Sequence, residues 1–529
     1  MEKGSLFGES TGLKVYRKLN SWMGNKFIIP TKKETLKMLG KVDTSFLAQK
    51  YLPSHKFLSE RNIVNKKKVA RPNTKLEVSR FTYAFQKHNI VALYHSLTLG
   101  VVYLPRSMFN AFFYLTRKRG VAKPFLRDDK YDKDVDEILK KLFCMDFLVS
   151  DNHRDELLLF AAQKKFLQPS LRKLYIIATN RCNLKCRYCY LGRHISDGGA
   201  SMDIKTAKRG VDLFVALLQK HFLDSGRASV CFYGGEPLLN FQMIKPTVKY
   251  LNSLKGKVER LSDLKIEVIT NGTLITWETA RFFKKEGVGI NLSIDGGSLK
   301  TNIHRIFEGG TNSLNVVLKS INILNKIRVP TTLVSTISPQ TFPYLGEIIN
   351  FLTSKSTSSC INILRPNLQL KINHDFIENA TKARLNAFKT FRKIGHYEER
   401  MAKKVFHFVN KILYPFNNGL GGQEIAIFPN GKIGVCHGCL GDNRYLIGDI
   451  KTLNPQKVVS NSVYQEWITR SPLNISKCWE CPALGICGGG RPFEVEKRTG
   501  NIWDLDRFHC VQSKTVLKWL IWDNFQFET

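Results

Sequence analysis

The chain has 529 residues, 43% apolar and 11% aromatic, so it can bury two to four ordinary cores and is not a disordered chain. Its 81 Lys/Arg against 44 Asp/Glu give a formal charge of +37, which suits nucleic acid, an acidic peptide, or simply a solvated lysine-rich surface. No apolar run reaches the roughly 20 residues that span a bilayer, and Val91 to Tyr103, the nearest, is interrupted by His95, Ser96 and Thr98. With no secretory pattern at the N-terminus, a cytoplasmic protein is expected.

In chain order, residues 1–75 read as a basic N-terminal extension and linker, with short helical patterns at 32–39 and 44–51. Residues 76–168 open with three β-branched and aromatic runs suited to strands, Phe81–Phe85, Ile90–Tyr94 and Gly100–Leu104. Helical spacing follows at 107–115 and 135–143, and Phe147–Ser150 with Leu157–Phe160 reads as a closing wing. The pattern predicts a small winged-helix-like module. From Leu171 onward, strand-like runs alternate with helical stretches, which signals βα units and a parallel sheet. The strands are placed at Leu174–Ala178, Ser229–Tyr233, Ile266–Thr270, Ile290–Ile294, Thr331–Thr336 and Ile361–Leu364, with helices such as Ile204–Lys220, Trp277–Glu286 and Leu314–Lys326. The fold class is α/β: a partial (β/α)6 TIM-like barrel over 169–415, collecting ligands at the C-terminal ends of its strands, then a cysteine-rich domain over 416–529.

Nine of the 12 cysteines fall into three groups, 182/186/189, 436/439 and 478/481/487 with Cys510 behind the last, while Cys144, Cys231 and Cys360 stand apart. Clustering of this kind points to metal ligands. The most specific group lies in Thr179-Asn-Arg-Cys-Asn-Leu-Lys-Cys-Arg-Tyr-Cys-Tyr190, placed just after the first barrel strand. Three thiolates are one fewer than a closed zinc site or a fully ligated four-iron cluster needs, so one metal position stays open for chemistry. One strand later comes Phe232-Tyr-Gly-Gly-Glu-Pro-Leu-Leu239, where glycines admit close approach and an acid suits an ammonium group.

The C-x3-C-x2-C spacing with Tyr188 before the last cysteine, joined to Gly234-Gly235-Glu236, resembles the radical S-adenosylmethionine (SAM) enzymes. The resemblance implies a 4Fe-4S cluster on Cys182, Cys186 and Cys189 whose open iron is chelated by SAM. It further implies contact of Gly234, Gly235 and Glu236 with the SAM amino group, of Ser293 and Asp295 with its ribose, and of Arg305 with its carboxylate. Tyr188 is expected against the adenine. Reductive cleavage of SAM would give a 5′-deoxyadenosyl radical that removes hydrogen from an unactivated carbon.

Cys478-x2-Cys481-x5-Cys487, then Gly488-Gly489-Gly490 and Cys510, resembles the SPASM extension of such enzymes, where four cysteines hold an auxiliary 4Fe-4S cluster. Pro429-Asn-Gly-Lys-Ile-Gly-Val-Cys436 and Gly448-Asp-Ile fit the same extension. The pattern is incomplete: Arg491 stands where complete SPASM domains have a further cysteine, and none lies between Cys360 and Cys436. A second auxiliary cluster would have only Cys436 and Cys439, so one is expected. His437 occupies the place of an Asp that acts as base in sulfatase-maturing relatives, which weighs against that activity.

Residues 76–168 resemble the leader-peptide-binding module of peptide-modifying members, the RiPP recognition element. The expected function is thus a radical SAM oxidoreductase acting on a ribosomally made peptide or protein with a leader segment, served by an electron donor such as ferredoxin or flavodoxin. Two alternatives stay open: a radical SAM enzyme acting on RNA, and a non-catalytic iron–sulfur protein that binds peptide or nucleic acid. No membrane partner is expected, and nucleic acid is disfavoured.

Overall fold

A computed structural model describes residues 38, 41, 76–106, 109, 141–150, 152–167, 171–192, 199–220, 227–365, 372–417, 419–452 and 454–525. The helical patterns at 107–115 and 135–143 lie mostly outside these residues, as does nearly all of 1–75. Among the described residues no helix is long and apolar enough to cross a membrane.

The front of the chain forms a three-stranded antiparallel sheet of β2 (Thr82–Lys87), β3 (Ile90–His95) and β4 (Val101–Pro105), beside a pair made by β1 (Glu77–Val78) and β5 (Leu148–Val149). The expected wing is corrected here. Leu157–Phe160 is not a strand but part of helix α1 (Asn152–Lys165), because it follows a run with an acid in its first turn and lysines in its last.

A ten-stranded sheet follows, built on six parallel strands in consecutive order. These are β6 (Lys173–Thr179), β7 (Ser229–Gly234), β8 (Lys265–Thr270), β9 (Val288–Ser293), β10 (Thr331–Ile337) and β11 (Ser358–Ile363). Helices α2 (Ile204–Lys220), α3 (Phe241–Lys255), α4 (Trp277–Glu286), α5 (Leu314–Ile327) and α6 (Leu345–Lys355) provide the crossovers. Both faces of β6 are buried. Leu174, Ile176 and Ala178 join the helix-side core, while Tyr175 and Ile177 join a cluster on the other face with Cys231, Ala426 and Phe428.

The parallel set is wider than the six repeats expected. Between helices α7 (His374–Ile394) and α8 (Glu399–Val409), β12 (Tyr397–Glu398) extends one edge parallel to β11. Strand β13 (Glu424–Ile427) extends the other parallel to β6. Strand β13 then turns into an antiparallel ribbon with β14 (Lys432–Gly434) and β15 (Leu446–Asp449). Its four-residue run lies far from β6 in sequence, and only tertiary pairing reveals it.

The C-terminal region ends in helix α9 (Arg507–Phe525), which packs on α7. Tyr94, Tyr103 and Val101 of the front sheet share one core with Phe408 of α8 and Leu517, Leu520 and Ile521 of α9. Tyr103 Oη donates to the Ile521 carbonyl at 2.5 Å. Met38 is buried in the same core, where its carbonyl accepts from Arg392.

Candidate functional site

The cysteine loop leaves the C-terminal end of β6 and is clamped before any cofactor is considered. Lys185 N–H donates to the Ile306 carbonyl at 2.8 Å, and Arg187 N–H donates to the His304 carbonyl at 3.0 Å. Cys182 Sγ accepts from Leu184 N–H at 3.4 Å and faces Asn271 Nδ2 at 3.8 Å. All described cysteines are free thiols. Burial pushes Cys182 up to about 12 and Cys189 up to about 11, and raises Cys186, so the unligated thiols keep their protons near neutral pH.

The turn after β7 has room for backbone only. A Cβ on Gly235 would sit 2.1 Å from the Arg181 carbonyl oxygen and 3.1 Å from Cys182 Cβ, so the Gly-Gly turn and the cysteine loop are fitted to each other. Glu236 is fully buried, and its carboxylate is taken up by the protein. Oε1 accepts from Leu238 N–H at 3.0 Å and Thr270 Oγ1 at 2.7 Å, and Oε2 accepts from Asn271 N–H at 2.7 Å. The structure therefore makes Glu236 a brace between the ends of β7 and β8, and burial lifts its pKa to about 7 against these hydrogen bonds.

Asn271, which sequence reasoning quoted only as part of a strand end, joins the two motifs. Its Nδ2 donates to Asn183 Oδ1 at 2.8 Å in the cysteine loop, and its Oδ1 accepts from Thr273 N–H at 2.9 Å.

Beyond β9 the structure brings three expected residues together. Tyr188 Oη donates to Asp295 Oδ2 at 2.6 Å and accepts from Arg305 Nη1 at 3.0 Å, and Asp295 Oδ1 accepts from Thr336 N–H at 3.0 Å. Asp295 and Arg305 are buried, and the negative groups around Arg305 raise its pKa although burial opposes this. Arg305 Nε is buried with no partner, so one guanidinium donor remains for an anionic group. Tyr188 is thus tied by its hydroxyl and not only by its ring. Ser293 ends β9 half-buried, with no side-chain hydrogen bond among the described residues.

The second cysteine set lies between the front sheet and α9. Cys481 N–H donates to the Cys478 carbonyl at 3.0 Å, and Cys510 N–H, in the first turn of α9, donates to the Asp506 carbonyl at 2.8 Å. Gly488, Gly489 and Gly490 all have φ between 75° and 81°, and a Cβ on Gly490 would meet Asp506 Cβ at 2.5 Å. The run lets the chain turn from Cys487 under the loop.

Around these thiols the structure gathers basic side chains. Arg470, 1% exposed, gives its guanidinium only to the carbonyls of Ile502, Gly489 and Asp504. His509 and Lys404 both reach the Cys487 carbonyl. Burial pushes Cys478 and Cys510 up to about 12, whereas His509, Lys404 and Ser513 overcome burial at Cys487 and hold it at about 6. Buried Arg470, whose guanidinium meets backbone carbonyls rather than an acid among the described residues, suits an anionic thiolate centre.

Cys436 and Cys439 are placed differently. Among the described residues, the group whose ligand atoms lie within 4.8 Å of one another is Glu424, Cys436 and His437, not either larger cysteine set. His437 Nδ1 lies 2.8 Å from Glu424 Oε1 and 3.7 Å from Cys436 Sγ. Burial alone would lower the His437 pKa, but Cys436 and Glu424 raise it to about 10. Its ring stacks on Tyr175 at 4.2 Å and meets the edge of Tyr233 at 5.4 Å, so His437 is held by ring packing as well as by Glu424.

Comparison with known proteins agrees with this geometry. The family description "Radical SAM superfamily" matches residues 176–352. The radical SAM cyclopropyl synthase TigE of Paramaledivibacter caminithermalis is 23% identical over 480 residues, covering 84% of this chain and 96% of that protein. The subtilosin biosynthesis protein AlbA of Bacillus subtilis is 23% identical over 327 residues, 59% of this chain and 65% of that protein. Among solved structures, anSMEcpe with bound AdoMet superposes with a TM-score of 0.57 at 18% identity, over 67% of this chain and 98% of its own. Streptococcus suis SuiB bound to S-adenosylmethionine has a TM-score of 0.50 at 18% identity, over 82% and 99%. Residues 176–352 of this chain, which carry the cysteine loop and the ends of β6 to β10, are a radical SAM domain.

Proposed function

We propose that the chain uses a SAM-derived radical to modify a ribosomally made peptide or protein, and that it carries two 4Fe-4S clusters. The observation that carries the reading is the reach of the TigE alignment, which runs along 84% of the chain and well outside the radical SAM domain. AlbA is named for bacteriocin biosynthesis, and other relatives are named cysteine-type anaerobic sulfatase-maturating enzymes, so the neighbours work on polypeptides.

In this reading Cys182, Cys186 and Cys189 hold the cluster with the open iron, and Cys478, Cys481, Cys487 and Cys510 hold the auxiliary one. Four thiolates around one zinc at about 2.3 Å would lie only about 3.8 Å apart. That no three of these thiols fall within 4.8 Å of one another favours the larger cluster. When bound, SAM and its cluster supply a 5′-deoxyadenosyl radical; the cofactor carries the hard chemistry. The chain's own residues orient and exclude. Arg305 offers its unpartnered Nε to the SAM carboxylate, Asp295 and Ser293 sit on the ribose side, and the Gly234-Gly235 turn lets the ligand approach the backbone. Glu236 and Asn271 hold these loops in register, and Glu236 Oε2, which accepts from the Asn271 N–H alone among the described residues, keeps acceptor capacity for the SAM amino group.

The front sheet supports a leader-binding role. Among the described residues its edge strand β2 pairs only with β3 and is half-exposed along its length, open to an added strand from an extended peptide. The domain divisions near 75, 168 and 415 and the ferredoxin- or flavodoxin-type donor belong to the same proposal. Paired His437 speaks for chemistry other than sulfatase maturation.

Anaerobic reconstitution tests the whole. About eight irons with matching sulfide, and SAM cleaved under strong reductant, are expected. Absence of SAM cleavage in a fully loaded preparation would remove the enzyme reading, and about four irons would remove the auxiliary cluster.

A further inference from the structure

Where complete SPASM domains place a cysteine, Arg491 lines a cleft at the C-terminal end of β11. The cleft holds about 70 Å³ of water-accessible space, room for a small group. Six basic residues line it: Arg365 from the end of β11, Arg384 from α7, Arg400, Lys403 and Lys404 from α8, and Arg491, with burial lowering Lys404 to about 7. No described Asp or Glu is among its walls. The acids that balance these charges sit behind them. Asp506 and Glu494 hold Arg365, Glu494 also holds Arg491, and buried Glu398 spends its carboxylate on the N–H groups of Ile361 and Met401.

Arg384 is the most exacting group. It is 5% exposed, its Nη1 donates to the Ile361 carbonyl at 3.2 Å, and its Nε is buried with no partner. A buried guanidinium donor left unused is costly unless something fills it. The cleft also lies on the reaction side of the sheet, since Asn362, Ile363 and Arg365 at the C-terminal end of β11 are among its walls.

We propose that this cleft binds a carboxylate of the peptide substrate, an Asp or Glu side chain or the C-terminal carboxylate. The proposal rests on the peptide reading above. Planar guanidinium groups match carboxylate geometry, and the enclosure of Arg384 and Arg365 admits one small anionic group better than a run of phosphodiesters, which binds exposed basic surface.

The test uses the full-length, cluster-loaded protein and four probes in calorimetry at 50 and 200 mM NaCl. The probes are a capped 12-residue peptide with Glu at alternate positions, the same peptide with Gln, an uncapped Gln peptide with a free C-terminus, and a 20-nucleotide RNA. The Glu peptide or the free C-terminus should bind at least about tenfold tighter than the capped Gln peptide, and which of the two does so identifies the source of the carboxylate. Arg384→Gln and Arg491→Gln should each weaken that binding about tenfold, the effect of one charged hydrogen bond. Exposed Lys451→Gln should change it less than twofold. One charge in +37 is too little for a non-specific effect. Should Arg384→Gln misfold, Arg491→Gln and the wild-type Glu-to-Gln comparison decide.

Equal binding of capped Glu and Gln peptides together with no gain from a free C-terminus overturns the proposal, as does wild-type affinity in the cleft variants. RNA that binds with the same variant sensitivity while the peptides do not compete overturns it in favour of nucleic acid. SAM cleavage without carboxylate discrimination fells the cleft alone, whereas discrimination without cleavage fells the radical reading and leaves the cleft standing.

Discussion

Replacing Tyr188 by Phe separates two roles for this residue. If its ring is what matters, packed on an adenine, Phe serves equally well. The structure gives the hydroxyl more to do, because it donates to buried Asp295 at 2.6 Å and accepts from buried Arg305 at 3.0 Å. Removing it leaves Asp295 with the Thr336 N–H and leaves a second Arg305 nitrogen without a partner beside the orphaned Nε. Hydrogen bonds to charged groups contribute about 1.5–3 kcal/mol each, so Tyr188→Phe should destabilise the domain by about 3 kcal/mol. For a domain of this size that corresponds to a drop in Tm of roughly 6–12 °C. The same loosening should weaken SAM binding, to which Arg305 and Asp295 are assigned, by at least about tenfold at unchanged iron content. Differential scanning calorimetry and equilibrium dialysis with labelled SAM measure the two effects. Wild-type Tm together with wild-type SAM affinity in Tyr188→Phe would refute the network and leave only the ring.

Gly235→Ala drives a Cβ against the Arg181 carbonyl at 2.1 Å and should shift the cysteine loop. Iron analysis should then show a loss of about four irons, with the set around Cys510 still loaded. Asp506→Asn strips buried acceptors from Arg365 and Arg498 and should cost about 3–5 kcal/mol, read as a lowered urea midpoint with loss of iron from the C-terminal set. His396 supplies a pH effect far from any cysteine group. Burial lowers its folded pKa to about 4 from 6.5, so the unfolded chain binds the proton first as pH falls. Its stabilising contribution is full above pH 6.5 and is lost as pH drops toward 4, about 2 kcal/mol of it by pH 5. His396→Asn should flatten the pH dependence of the urea midpoint by that amount, and an unchanged slope would contradict the assignment.

Much of the site was legible because its determinants are local. The cysteine spacing, the Gly-Gly-Glu turn and the acid after β9 each sit on a short strand-terminal loop, and strand periodicity alone places those loops at one end of the sheet. What escaped was long-range. Glu236 reads as a free acid facing a ligand, but its three hydrogen-bond donors come from Leu238, Thr270 and Asn271, the last two a full βα unit away. Strand β13 is too short to announce itself and takes its identity from pairing with β6 across some 250 residues. Leu157–Phe160 carries an apolar run that suits strand or helix equally, and its flanking charges decide for helix. His437 was noticed for the Asp it replaces, while its partner Glu424 lies 13 residues upstream and no spacing rule links the two.

These long-range contacts hold the radical SAM domain, the C-terminal cysteine set and the front sheet in a fixed arrangement. Strand β13 belongs to the C-terminal region by sequence, yet it bonds to β6, whose far end carries Cys182. The turn after β14 returns His437 onto the ring of Tyr175, on that same strand. On the opposite side, a Cβ on Gly485 would sit 2.2 Å from the Ser96 carbonyl oxygen, so the loop carrying Cys487 is seated directly on the front sheet. Tyr94 stacks on Phe408 of α8, and Tyr103 donates to the last turns of α9, whose first turn carries Cys510. Each cysteine set is thereby joined to its neighbours by packed backbone and not by a flexible linker. A substrate held at the front sheet and in the Arg491 cleft would therefore meet the strand ends in one geometry, and restricting the approach in this way is what lets a reactive radical act on one carbon among many.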